Sequence, residues 1–177
     1  MEVSYRMSIV TPPTTLKRIV AGGQTGVDRG ALDAALMSGF DCGGWVPGDR
    51  MAEDGIIPDW YPLTILPNGN YRQRTRLNVV DSDGTAILYE GCLSGGTRLT
   101  RDLCELLERP CILISARETP DPIAAAVAVM NFIHDNGIET LNVAGPRASG
   151  WADGYAFALG LVGQVIKSET VELLSTR

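Results

Sequence analysis

The sequence predicts an α/β fold: a three-layer sandwich with a mostly parallel sheet and helices on both faces. Three observations carry this. Apolar strands alternate with helical segments along most of the chain. The strands are continuous apolar runs, the mark of a parallel sheet covered on both sides. Three strand-to-helix junctions share one grammar, an apolar strand, then a Gly-rich turn, then a helix. A chain of 177 residues has room for one domain with a sizeable core. That domain is expected over 17–177, after a flexible leader over 1–16.

The first unit is a strand at Arg18–Ala21, the turn Gly22-Gly23-Gln24-Thr25-Gly26 and a helix over about Val27 to Ser38, stopped by Gly39. A long irregular stretch follows, Asp41 to Gly69, rich in Gly and Pro and carrying Trp45, Trp60 and Tyr61. Loops of that length in a compact domain are uncommon and often functional. It reads as a lid or wall, with a short strand at Leu63–Leu66. A helix over Tyr71 to Val80 comes next. The second unit runs from Thr85–Tyr89 through the turn Gly91–Thr97 to a helix over about Arg98 to Glu108. A further strand, Cys111–Ser115, precedes an Ala-rich helix near Pro122 to Asp135. The third unit is Thr140–Ala144, the turn Gly145–Gly150 and a helix over about Trp151 to Val162. The Ala-rich helix is apolar almost all round from Ile123 to Ile133, which predicts burial on more than one side and makes a homo-oligomer an expectation.

Composition narrows the function. The formal charge is −6, a poor match for nucleic acid or an anionic membrane. No apolar run approaches the length of a membrane-spanning helix, and the first residues lack the apolar core of a signal peptide. A cytoplasmic location is expected. The 4 Cys form no C-x-x-C, and with His134 the only His no zinc set is expected. The cysteines read as small buried hydrophobes. His134 lies near the end of the Ala-rich helix, where a cation suits the C-terminal dipole, so neither a Ser-His-acid nor a Cys-His constellation is expected, and the catalytic residues stay unknown. The cations are unusual. Of 15, only Lys17 and Lys167 are lysines, which leaves 13 Arg, the better residue for gripping an oxyanion with a fork of donors.

In a parallel sheet the strand-to-helix loops lie at the carboxyl edge, where ligands bind. Each following helix presents unpaired N–H groups and the positive end of its dipole. The three turns therefore predict a rim of anion-binding donors. Neither a dinucleotide fingerprint nor an NTPase loop is present. Gly91–Gly96 and Gly145–Gly150 have the G-x-x-x-x-G spacing, but Thr97-Arg98 and Trp151-Ala152 follow where Lys and Ser or Thr would stand. The turns contribute Gly22, Gly23, Gln24, Thr25, Gly26, Ser94, Gly95, Gly96, Thr97, Gly145, Pro146, Arg147 and Ser149, with Arg98 beside the second. Glu53 and Asp54 in the long loop, Arg74 and Asn78 on one helix face, and Asp83 before the second strand are further candidates. Asp28 stands at the start of the first helix, where a carboxylate also suits the dipole.

Taken together, the runs Gly22-Gly23-Gln24-Thr25-Gly26-Val27-Asp28-Arg29, Gly44-Trp45-Val46-Pro47, Ala52-Glu53-Asp54-Gly55, Ser94-Gly95-Gly96-Thr97 and Asn142-Val143-Ala144-Gly145-Pro146-Arg147 resemble a known family. So do Arg74-Thr75, Asn78-Val79 and Asp81-Ser82-Asp83-Gly84-Thr85. It is the "putative molybdenum carrier" family, a circularly permuted Rossmann-like SLOG domain, and the likeness spans about Lys17 to Val165. The resemblance implies a Rossmann-like domain that binds or carries a phosphorylated small molecule, with molybdenum cofactor (molybdopterin) or a nucleotide as candidates and no resident metal. The Lonely Guy phosphoribohydrolases are more distant relatives. Their P-G-G-x-G-T-x-x-E loop carries a catalytic Glu, and the corresponding position here is Thr100. The alternative is a nucleotide N-glycosidic hydrolase that uses Glu53 or Asp54 instead.

Overall fold

The computed structural model describes residues 16–175. The leader expected over 1–16 lies outside them except for Leu16, which is buried. The centre is a five-stranded sheet of β1 (Arg18–Val20), β2 (Cys42–Gly43), β7 (Gly84–Tyr89), β8 (Cys111–Ser115) and β9 (Thr140–Ala144). The spatial order is β2-β1-β9-β7-β8, and every pairing is parallel. Helices α1 (Val27–Met37), α4 (Pro122–Asn136) and α5 (Gly154–Ser175) pack on one another over one face. Helices α2 (Tyr71–Val80) and α3 (Gly95–Leu106) pair on the other, over a small core of Val79, Leu103 and Cys104. The main core runs between the sheet and the first group, through fully buried Ile19, Leu32, Leu141 and Leu161. This is the expected three-layer Rossmann-like sandwich.

Local chemistry explains the boundaries. Asn70 and Gln73 form a reciprocal capping box, which starts α2 at Tyr71. Asp121 accepts from the Ile123 amide at 3.0 Å, Pro122 fills the first turn, and Gly137 ends α4 at φ 60°. Two helices depart from expectation. α3 begins at Gly95, three residues earlier, because its first two glycines enter the helix instead of forming the turn. α5 begins three residues later than expected and runs well beyond Val162 to Ser175. Gly163 does not stop it, since no positive φ is imposed there. The Ala-rich α4 buries Ala125, Ala126, Val129 and Ile133, but Ile123 and Val127 remain exposed, so the described residues cover one face of it and not the other. His134 sits 3.3 Å from buried Glu169 of α5, a contact between helices that the sequence did not suggest.

The stretch 41–69 is ordered by short pairings. β3 (Trp45–Val46) runs parallel to β6 (Thr64–Ile65), where a strand over Leu63–Leu66 was expected, and β4 (Met51–Ala52) forms a hairpin with β5 (Gly55–Ile56). Arg50 pins it, donating to the carbonyls of Ile57, Pro58 and Tyr61, each at 2.9 Å. No helix among the described residues is long and apolar enough to cross a membrane.

Candidate functional site

The turns after β1, β7 and β9 leave three adjacent central strands at the carboxyl edge, so the topology alone brings them side by side. Gly26 lets the first and third turns touch. Its φ is 76°, and a Cβ there would lie 2.6 Å from the Pro146 carbonyl oxygen and 2.8 Å from the Ala148 nitrogen. The Ala148 amide donates to Thr25 Oγ1 at 3.1 Å across the same seam. The second turn leads into α3, whose first intrahelical bond runs from the Arg98 amide to the Ser94 carbonyl at 3.2 Å. The amides of Gly95, Gly96 and Thr97 therefore carry the unpaired positive end of that helix.

Between the turns lies a cavity of about 510 Å³. Of the predicted residues, Gln24, Ser94, Gly95, Gly96, Thr97, Gly145, Pro146, Arg147 and Ser149 line it. All three turns contribute. Tyr71, the first residue of α2, closes one wall, and its hydroxyl sits where a side chain at Gly96 would be, 2.2 Å from a Cβ built there. Tyr71, Glu90, Cys92 and Gly150 also line it and were not among the candidates, although Cys92 and Gly150 belong to the second and third turns. Glu90 was within reach of the same logic, because it directly follows the strand Gly84–Tyr89 at the carboxyl edge. Tyr71 carried no signal, since only the tertiary fold brings α2 to the second turn.

Behind the first turn lies a buried ion pair. Asp28 accepts from the Gln24 amide at 3.3 Å and faces Arg74 Nη1 at 3.7 Å. The Arg74 guanidinium fills the space that Gly22 leaves without a side chain and stacks 4.5 Å from the centre of the Tyr71 ring. Burial pushes the Asp28 carboxyl above its ordinary value, against the pull of Arg74. Asp28 and Arg74 lie behind Tyr71 and the first turn and do not line the cavity.

The tip of the β4–β5 hairpin, Glu53–Asp54, docks on the rim. The Glu53 carboxylate accepts from Ser149 Oγ at 2.5 Å, from the Ser149 amide at 3.1 Å and from the Thr25 hydroxyl, with Arg147 Nε at 3.3 Å. Asp54 takes both terminal nitrogens of Arg29, at 2.5 and 2.8 Å. The hydrogen bonds from Ser149 and Thr25 hold the Glu53 carboxyl below the usual range, and those from Arg29 do the same for Asp54. Such carboxylates are poor general acids, because the charged form is the one their partners stabilise.

Three candidates point elsewhere. Arg98 is exposed, with Nε 3.8 Å from Asp102 one turn on, so its guanidinium leaves the rim. Asn78 brackets the backbone of Trp45, accepting from its amide at 2.7 Å and donating to its carbonyl at 3.2 Å. Asp83 precedes β7 and therefore sits at the amino edge of the sheet, opposite the cavity, where it accepts from the amides of Glu139 and Thr140. Among the described residues no group of three or more His, Cys, Asp or Glu is placed to hold a metal ion.

A family profile described as the circularly permutated YpsA SLOG family matches residues 19–166. A crystal structure of a protein from Syntrophus aciditrophicus SB, described as a "putative molybdenum carrier protein", superposes with a TM-score of 0.83 at 37% identity. The match covers 88% of this chain and 98% of that one. No curated protein matches the chain.

Proposed function

The chain belongs to the circularly permutated YpsA SLOG family, and from that premise we propose that it binds or carries a phosphorylated small molecule in the cavity at the carboxyl edge of its sheet. One observation carries the reading. Three Gly-rich turns and Arg147 converge on one space of about 510 Å³, within the range usual for small-molecule sites. The amides at the start of α3 suit a phosphate, because they are unpaired donors at the positive end of a helix dipole. Arg147 adds a charge-assisted donor.

Molybdenum cofactor and nucleotides are the two candidate ligands. The Syntrophus aciditrophicus relative is described as a "putative molybdenum carrier protein", which favours the first. The residues fit such a cargo. Molybdenum cofactor carries a phosphate on its pterin and a metal-oxo group, both oxygen-rich acceptors, and the rim offers amides, hydroxyls and Arg147 to such groups. Glu90 supplies a carboxylate on the lining, suited to accepting from N–H or O–H groups of the ligand.

The test is a binding series on the full chain with AMP, ribose 5-phosphate and isolated molybdopterin, read by calorimetry. Arg147→Ala is expected to weaken binding by about 10- to 100-fold, the worth of a charge-assisted contact. Arg98→Ala is expected to leave it within about twofold. Wild-type protein that binds none of the three, or equal losses for the two variants, would overturn the proposal.

A further inference from the structure

A carboxylate of the chain itself occupies the strongest anion donors on the rim. Glu53 Oε2 takes the Ser149 hydroxyl at 2.5 Å and Arg147 Nε at 3.3 Å, while Oε1 takes the Ser149 amide at 3.1 Å and the Thr25 hydroxyl. Two hydroxyls, a backbone amide and a guanidinium converging on one point are the donor set that receives a phosphate. The Thr25 hydroxyl cannot be read the other way round. The ionised Glu53 carboxylate has no proton to give, so the Thr25 hydroxyl donates to it while accepting from the Ala148 amide at 3.1 Å. Arg147 and Ser149 also line the cavity, so this donor set is continuous with it.

The carboxylate is not what holds the hairpin in place. Gln24 Oε1 accepts from the Glu53 amide at 2.9 Å, and Asp54 is held by two bonds from Arg29. The Glu53 side chain can therefore rotate away about its own bonds while the β4–β5 hairpin stays docked. We propose that Thr25, Arg147 and Ser149 form a tetrahedral-oxyanion subsite, and that Glu53 is an internal competitor which fills it until an oxyanion of the ligand displaces the carboxylate. This rests on the phosphorylated-ligand reading and extends it. A phosphate monoester brings nearly two charges and three terminal oxygens, against one charge and two oxygens for Glu53, so the same donors prefer it. A ligand whose only anion is a carboxylate gains nothing over Glu53, so the arrangement selects for dianionic ligands.

The experiment uses the full chain as wild type, Glu53→Gln, Glu53→Ala and Ser149→Ala, each checked by circular dichroism. Inorganic phosphate, AMP and molybdate are titrated by calorimetry. If Glu53 fills the subsite about nine-tenths of the time, Glu53→Ala tightens oxyanion binding about tenfold, because the competent fraction rises to unity. Glu53→Gln tightens it too, and Ser149→Ala weakens it. A gain for phosphate and AMP assigns the subsite to a phosphate end of the ligand, and a gain for molybdate alone assigns it to a metal-oxo end. In wild type, carbon-13 NMR of Glu53 supplies an independent readout, since saturating phosphate moves its carboxyl titration up toward the ordinary range. A Glu53 that only latches the hairpin predicts the opposite. Glu53→Ala then binds no tighter than wild type, and phosphate leaves the Glu53 titration unmoved. That pair of results overturns the competitor and leaves the binding reading standing. Absence of binding by wild type and every variant overturns both.

Discussion

Gly26→Ala perturbs fold and site at one point. Gly26 has φ 76° and ψ −128°, a conformation that residues with a side chain rarely adopt. Placing Ala there costs about 1–3 kcal/mol from the backbone alone. The new Cβ would also meet the Pro146 oxygen at 2.6 Å, the Ala148 nitrogen at 2.8 Å and the Arg147 carbonyl carbon at 2.9 Å. All three are backbone atoms, so no side chain can swing aside, and the first and third turns must separate. The total loss is expected to be about 3 kcal/mol or more, combining strain with overpacking of about 1–3 kcal/mol. For a domain of this size that lowers the melting temperature by about 6–12 °C. The assay is urea unfolding by circular dichroism, with Gly163→Ala as comparison. Gly163 lies inside α5 with no atom within 4 Å of a built Cβ, so Ala there stabilises by about 0.5–1 kcal/mol. Because the Gly26 seam also positions Thr25 and Ser149, Gly26→Ala must weaken AMP binding as well. A Gly26→Ala protein within about 0.5 kcal/mol of wild type would refute the claim that the turns are locked backbone to backbone.

Arg74→Met leaves Asp28 buried without its cation and is expected to cost about 3–5 kcal/mol, whereas the Asp28→Asn/Arg74→Met double variant costs less than the sum of the singles. A double-mutant cycle in urea measures this. Asn78→Ala strips the Trp45 backbone of two hydrogen bonds and is expected to cost about 2–3 kcal/mol while leaving AMP affinity within about twofold. A large selective loss of affinity would return Asn78 to the site. The hairpin tip is acid-labile. Its anchor is Asp54, whose carboxyl Arg29 holds below the ordinary value in the folded state, so that stabilisation is present above about pH 4 and is lost as pH falls through the depressed value. Asp28 is shifted upward and contributes in the opposite sense, gaining as pH falls. Protection factors of the amides in β4 and β5, each referred to intrinsic exchange at the same pH, are expected to fall between pH 6 and pH 3 before those of the core strands, and a uniform change would contradict it.

The sheet and its layers were legible because their signal is local. An apolar run such as Cys111–Ser115 or Thr140–Ala144 has few alternatives to a strand of a parallel sheet, and both strands form at those boundaries. The meeting of the three turns was legible too, since carboxyl-edge loops of adjacent parallel strands converge by topology. What could not be read was direction. Arg98 and Arg147 both stand beside Gly-rich turns, yet one helical turn sends Arg98 to Asp102 while Arg147 stays on the rim. Asp83 and Glu90 flank the same strand, and only knowing which end of β7 carries the cavity separates a backbone anchor from a lining residue.

Not every glycine of the chain belongs to a turn. Gly30 and Gly160 serve helix packing, with a Cβ at Gly30 falling 2.4 Å from the Tyr155 carbonyl oxygen and one at Gly160 falling 3.1 Å from Pro122. The close approach of α1 to α5 that Gly30 permits brings the helix after the first turn against the helix after the third. Gly26 brings together the turns themselves, one residue before α1 begins. The same two chain segments are thus drawn together twice, once at the rim and once behind it. A rim held from both sides does not have to close on its ligand. What has to move is a single side chain already seated among the donors, and Glu53 is that side chain.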